Sequence, residues 1–237
     1  MKKKRLKLMI IVILLVIISL LVTIKKDLLT SSAIKQKRSS DMTIELVQSA
    51  SQGLIVYANN LKKDTIEEAD LKYNTEYLQK LIDNVSNVGG GTFHITAGTY
   101  YFTTGEYERE SVSECVIKCR DNVLVEGEGT DESTGTVLKP YAPDNDLPVD
   151  MFYFNDYAES GGNNKTFLKN ADFKNFVIDG ENAYATQYNS AGKGFMINLF
   201  ENCDFENVVV KNTDGTGFGI DCPINSTIKN CTAINCG

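Results

Sequence analysis

The sequence predicts an all-β solenoid, a parallel β-helix with an N-terminal capping helix, preceded by a transmembrane helix. Three features predict it. One segment recurs at an offset of 32 residues, short β-type runs bounded by Gly, Asn or Asp fill the chain from Thr92 onward, and a basic N-terminus leads into an apolar run.

The N-terminus sets the topology. Lys2, Lys3, Lys4, Arg5 and Lys7 precede a run from Leu8 to Ile24 relieved only by Ser19 and Thr23. As a helix this run reaches about 25 Å, close to the hydrocarbon thickness of a bilayer. The flanking cations place residues 1–7 in the cytoplasm and send the remainder outward. Residues 8–24 read as an uncleaved anchor in the cell membrane, because the small residues Ser31-Ser32-Ala33 lie beyond Lys25, Lys26 and Asp27. A secretory signal peptide is the alternative, and it also exports the body. Residues 25–73 read as a polar tether and a lead-in segment without a clear period.

The net charge of −7 over 237 residues averages two regions of opposite sign. Residues 1–40 carry ten Lys and Arg against Asp27 alone, whereas residues 41–237 carry fourteen against thirty acids. An acidic body excludes nucleic acid as a partner, since phosphate binding needs clustered cations. Six cysteines in an exported chain raise the pairs Cys115 and Cys119, Cys203 and Cys231, and Cys222 and Cys236. The simpler reading makes Cys203 and Cys231 small apolar residues stacked in a core. Zinc is disfavoured, with no Cys-x-x-Cys and His94 as the single histidine.

The β-helix is expected over 74–237. Asn74 can cap a helix in which Leu78, Leu81, Ile82 and Val85 share one face, and Gly89-Gly90-Gly91 ends it. Strands follow at Thr92-Phe93-His94-Ile95, Thr99-Tyr100-Tyr101-Phe102, Cys115-Val116-Ile117-Lys118 and Val123-Leu124-Val125. The acidic stretch 106–132 reads as a solvated loop face. Residues 167–178 then recur as 199–210, and a shorter copy, 228–236, follows at an offset of 28. Stacked rungs put equivalent residues about 4.8 Å apart. Phe173 is thus expected on Phe205, Phe176 on Val208, Ile178 on Val210 and Asp179 on Lys211, with Asn175, Asn207 and Asn235 as an amide ladder.

The run 74–82 followed by Gly89-Gly90-Gly91-Thr92 and Ala97-Gly98-Thr99-Tyr100 resembles the first rung of the pectate-lyase-like superfamily. The resemblance implies a right-handed parallel β-helix. It is specific for the fold and not for a reaction, since members include polysaccharide lyases, glycoside hydrolases, epimerases and phage tailspikes. Ile178-Asp179-Gly180 and Asn212-Thr213-Asp214-Gly215 are similar to strings of polygalacturonase-type hydrolases, which implies an acid or base role for Asp214. The Asp-Asp pair and Gly-His-Gly of that family are absent from this sequence.

Cleavage of a glycoside needs two carboxyls about 5–9.5 Å apart. By the 32-residue offset, Asp179, Lys211 and Asp214 gather on one face, and Asp221 can join them only across a bend. A lyase instead needs a base and a cation, Lys211 or Ca²⁺, to steady the substrate carboxylate; otherwise no cofactor is implied. Tyr100, Tyr101, Tyr107, Tyr141, Tyr153 and Tyr157 could stack on sugar rings, with packing in the early rungs the simpler reading, and His94 reads as structural. The expected function is a polysaccharide lyase or glycoside hydrolase. The alternative is a truncated glycan-binding remnant, or a scaffold that self-associates through an uncapped C-terminal rung.

Overall fold

The computed structural model describes residues 46–49, 53–105, 114–142, 149–159, 161–163, 165–181 and 192–237. The chain divides into units 1–44 and 45–237, and the fold below is that of the second. The basic tail, the 8–24 anchor and the first part of the tether lie outside the described residues. Among the described residues no helix is long and apolar enough to cross a membrane.

In chain order the first elements are β1 Leu46–Ser49, β2 Gly53–Tyr57, α1 Glu68–Asn87, β3 Gly91–His94, β4 Gly98–Phe102, β5 Glu114–Lys118 and β6 Val123–Glu126. There follow β7 Thr136–Pro140, β8 Val149–Phe154, α2 Asp156–Glu159, β9 Leu168–Lys169, β10 Asp172–Asp179 and β11 Phe195–Glu201. The last rungs are β12 Asp204–Lys211, β13 Phe218–Ile224, β14 Thr227–Lys229 and β15 Thr232–Ile234.

Apart from the antiparallel β1–β2 pair, the pairings are parallel, and they run from rung to rung rather than between sequence neighbours. One sheet carries β2, β3, β6, β10, β12 and β14, with β4, β7 and β15 joined along its second half; the other carries β5, β8, β11 and β13, with β9 against β11. Parallel pairing at near-constant spacing between segments a rung apart defines a β-helix. The sheet begins in the lead-in segment, since β2 pairs with β3 and therefore forms its first parallel strand.

The helix begins six residues before the expected cap. Asn74 is fully buried inside α1, where its amide donates to the Lys62 and Tyr101 carbonyls and its oxygen accepts from Lys62 N. Thr75 donates to the Thr103 carbonyl, and Gln79 makes a two-way bond with the Lys118 backbone. The polar residues of α1 thus satisfy the edge of the first rung, while Leu71, Leu78, Leu81, Ile82 and Val85 close its core. The apolar period extends back to Leu71, which is why Asn74 is interior and not a cap. At the far end Gly90 takes φ 106, and a Cβ there would collide with the Asn122 carbonyl.

The core is a stack of rings. Phe195 lies within 5.0–5.4 Å of Phe152, Phe173, Phe205 and Phe218, centroid to centroid. Phe173 pairs with Phe205, Phe176 with Val208 and Ile178 with Val210, as the 32-residue repeat predicts. Each of these strands kinks where an asparagine adopts left-handed backbone, at Asn175 (φ 61) and Asn207 (φ 53). The kink lets residues 173 and 176 both face inward although three apart.

The third copy corrects the sequence reading. It pairs at an offset of 23, with Phe205 on Ile228 and Lys211 on Ile234, and not at 28. Left-handed asparagines recur several times in a rung, at 202, 207 and 212, so the string Asn-Cys fits more than one of them. The expected Asn175–Asn207–Asn235 ladder therefore divides. Asn207 donates to Asn175, whereas Asn235 donates to Asn212. Cys231 is likewise displaced from Cys203, whose backbone meets Ser226 instead. All six cysteines are free thiols, and Cys115, Cys119 and Cys203 are buried. Burial pushes the Cys203 thiol up to about 11, which keeps it protonated and inert.

Candidate functional site

Three strand ends build the site. β7, β10 and β12 run side by side, with Val137 on Val177 and Val177 on Val209, so the next outward positions bring Lys139, Asp179 and Lys211 into one row. Asp179 is 1% exposed. Its carboxylate meets Lys139 Nζ at 2.9 Å and Lys211 Nζ at 3.5 Å, and it accepts from Asn212 Nδ2 at 2.9 Å and the Glu181 amide at 3.2 Å. A Cβ at Gly180 would stand 2.8 Å from the Asn212 carbonyl, so glycine lets the end of β10 sit against the 212–213 turn.

Each lysine has a second acid. Lys139 reaches Glu181 at 3.5 Å, and Lys211 reaches Glu132 at 2.7 Å. Glu132 is held there by a turn in which Asp131 accepts from the Ser133 amide and hydroxyl. Lys139 also lies 5.8 Å from the Tyr101 ring centroid.

Electrostatics fixes the charge states. Burial works to raise the Asp179 carboxyl, but the Asn212 hydrogen bond and the Lys139 ammonium outweigh it and hold it below the ordinary carboxylate range. Burial works to lower Lys139 and Lys211, yet Asp179 and the second acids outweigh it and raise both. Asp179 is therefore an ionised anchor between two protonated lysines.

Asp214 lies beyond this row. With Glu181, Asn212 and Thr213 it lines an open groove of about 560 Å³ beside the last rung. Its Oδ2 is buried and without a hydrogen-bond partner among the described residues. On the other side of the row, Asp64, Ile66, Thr99, Tyr101, Glu132, Val137 and Lys139 line a cleft of about 400 Å³. Lys139 thus links the two hollows, lining the cleft and bonding Glu181 of the groove.

The structure brings Asp179 and Lys211 together and places Asp214 next to them through Asn212. Asp221 stands apart, exposed on β13 in the other sheet opposite Asn198. The sequence reading missed Lys139, Glu132 and Glu181. Glu132 belongs to the stretch read as a solvated face, yet it reaches across to Lys211. Tyr100 is fully buried and packs, whereas Tyr101 is half-buried beside Lys139. His94 lies between Glu126 and Glu128, at 3.4 and 3.3 Å, on the early rungs.

Ca²⁺ does not fit Asp179, because ammonium and amide groups already surround its carboxylate. Among the described residues no three His, Cys, Asp or Glu side chains gather as a metal-binding set.

No family model matches the chain, and no curated protein matches it. Solved structures do. The mannuronan C-5 epimerase AlgE6 A-module of Azotobacter vinelandii superposes with a TM-score of 0.51 and 20% identity, over 67% of this chain and 39% of that one. A tailspike protein mutant of E. coli bacteriophage HK620, in complex with a pentasaccharide, superposes with a TM-score of 0.56 and 22% identity, over 69% of this chain and 27% of that one. The fold is the right-handed parallel β-helix. This β-helix spans well under half the length of either neighbour, and at such identities the likeness is one of fold. It bears out the right-handed β-helix fold that the first-rung resemblance implies.

Proposed function

We propose that this protein acts on a polysaccharide lying along the outer ends of β4, β7, β10 and β12, with Asp214 as general acid or base and Glu181 as the second carboxyl. The groove that holds both carboxyls carries the reading. Glycoside cleavage takes one carboxyl to protonate the leaving oxygen and one to attack or to activate water. Asp179 is excluded from proton transfer by its two lysines and serves to position Lys139, Lys211 and Asn212. The structural neighbours, a mannuronan epimerase and a pentasaccharide-bound tailspike, support a carbohydrate ligand. Glycan binding without cleavage is the second reading, favoured by the Lys139–Glu181 ion pair, which keeps one of the two carboxyls engaged. Residues 8–24 would tether the protein outside the cytoplasm in either case.

Release of reducing ends and unsaturated products from neutral and acidic polysaccharides by the full chain tests this. Activity should fall about 100-fold or more in Asp214→Asn. Binding without release would leave the second reading standing, and neither binding nor release by a folded chain would contradict both.

A further inference from the structure

The charges around the site say what kind of polysaccharide it takes. Resting on the reading above, we infer that the glycan segment meeting this face is uncharged and that polyuronates are excluded. Recognition of a uronate needs a cation whose charge is available to the ligand carboxylate. Among the described residues Lys139 is the only cation lining either hollow, and it already serves Asp179 and Glu181. Lys211, beside it, serves Asp179 and Glu132. Among the described residues of the two hollows and the row between them, five acids, Asp64, Glu132, Asp179, Glu181 and Asp214, stand against these two cations. The body as a whole is acidic, with fourteen Lys and Arg against thirty acids over residues 41–237.

A polyuronate would bring a row of carboxylates against this face at separations below the screening length in physiological salt, about 8 Å. A neutral glycan meets no such repulsion. Its hydroxyls find acceptors in the carboxylates of Asp214 and Glu181 that line the groove, and its ring faces find Tyr101 and the exposed Ile66. The lysines then act inside the wall, holding carboxylates in place rather than binding substrate.

Affinity electrophoresis of the full chain through neutral glucans, galactans and mannans, and through polygalacturonate and alginate, tests the inference. The expected result is retardation by at least one neutral polymer and binding at least tenfold weaker to either polyuronate. The gap should narrow in high salt and in Glu132→Gln, which leaves Lys211 one acid fewer at an exposed position outside the core. Tighter binding to a polyuronate than to every neutral polymer would overturn the inference while leaving the polysaccharide reading intact. Retardation by none, from a chain whose thermal unfolding is cooperative, would remove that reading and this inference with it.

Discussion

The inner and outer faces of β10 and β12 follow opposite rules. Inward, like stacks on like: Phe173 on Phe205, Phe176 on Val208, Ile178 on Val210. Outward, charge alternates beyond the equal pair Asp172 and Asp204 at the strand starts, with Lys174 against Glu206 and Glu206 against Lys229, and with Asp179 between Lys139 and Lys211. Equal apolar groups about 4.8 Å apart gain contacts at every rung, whereas equal charges at that spacing repel. Repetition therefore stabilises the interior and alternation stabilises the surface. Self-similarity in the sequence reveals the core and conceals the site.

The sharpest way to break this contrast is at the ring stack. Phe195→Ala removes a ring that four others touch and should cost about 3–5 kcal/mol, read as a fall in the urea midpoint with the slope unchanged. On the outer face only the buried anchor should approach that size. Asp179→Ala leaves two lysine charges short of a partner and should cost roughly 2–4 kcal/mol, whereas Lys174→Gln, at a half-exposed ion pair, should stay within about 0.5 kcal/mol. Equal losses for these two outer-face variants would end the distinction between anchor and ladder.

The kinks come next in size. Asn207→Ala must keep a φ of 53 and loses the bond to Asn175, so about 1–2 kcal/mol should go; Asn207→Gly, which takes that φ freely, should lose less. The gentlest probe is pH. Because Asp179 is depressed in the folded state, its stabilisation is complete above its unfolded value near pH 3.9 and disappears as pH falls through the lower folded value. Lys139 and Lys211 are raised, so their share is complete below about pH 10.4 and is lost as pH rises through their folded values. The melting temperatures of the native chain and Asp179→Asn should thus differ across the neutral range and converge in strong acid.

These rules also decide what was legible. The 32-residue repeat gave the inward pairs and Asp179 on Lys211, because two consecutive rungs kept both length and pattern. It failed at the third rung, whose register shortens to 23, since asparagine kinks look alike wherever they occur. Lys139 escaped because its rung shares little sequence with the next; the only trace was two apolar residues and a charge, Val137-Leu138-Lys139, Val177-Ile178-Asp179 and Val209-Val210-Lys211. Asn74 was misplaced because a buried polar residue on the capping face resembles a cap in sequence. Asp221 was grouped with Asp214 by closeness in the chain, whereas the turn before β13 carries it to the other sheet.

Hydrogen exchange of the full chain with and without a bound polysaccharide most directly tests whether the outer ends of β4, β7, β10 and β12 form the working face. Protection should rise over residues 98–102, 136–140, 179–181 and 211–215 and stay unchanged over β13. Protection confined to β8, β11 and β13 would contradict the account.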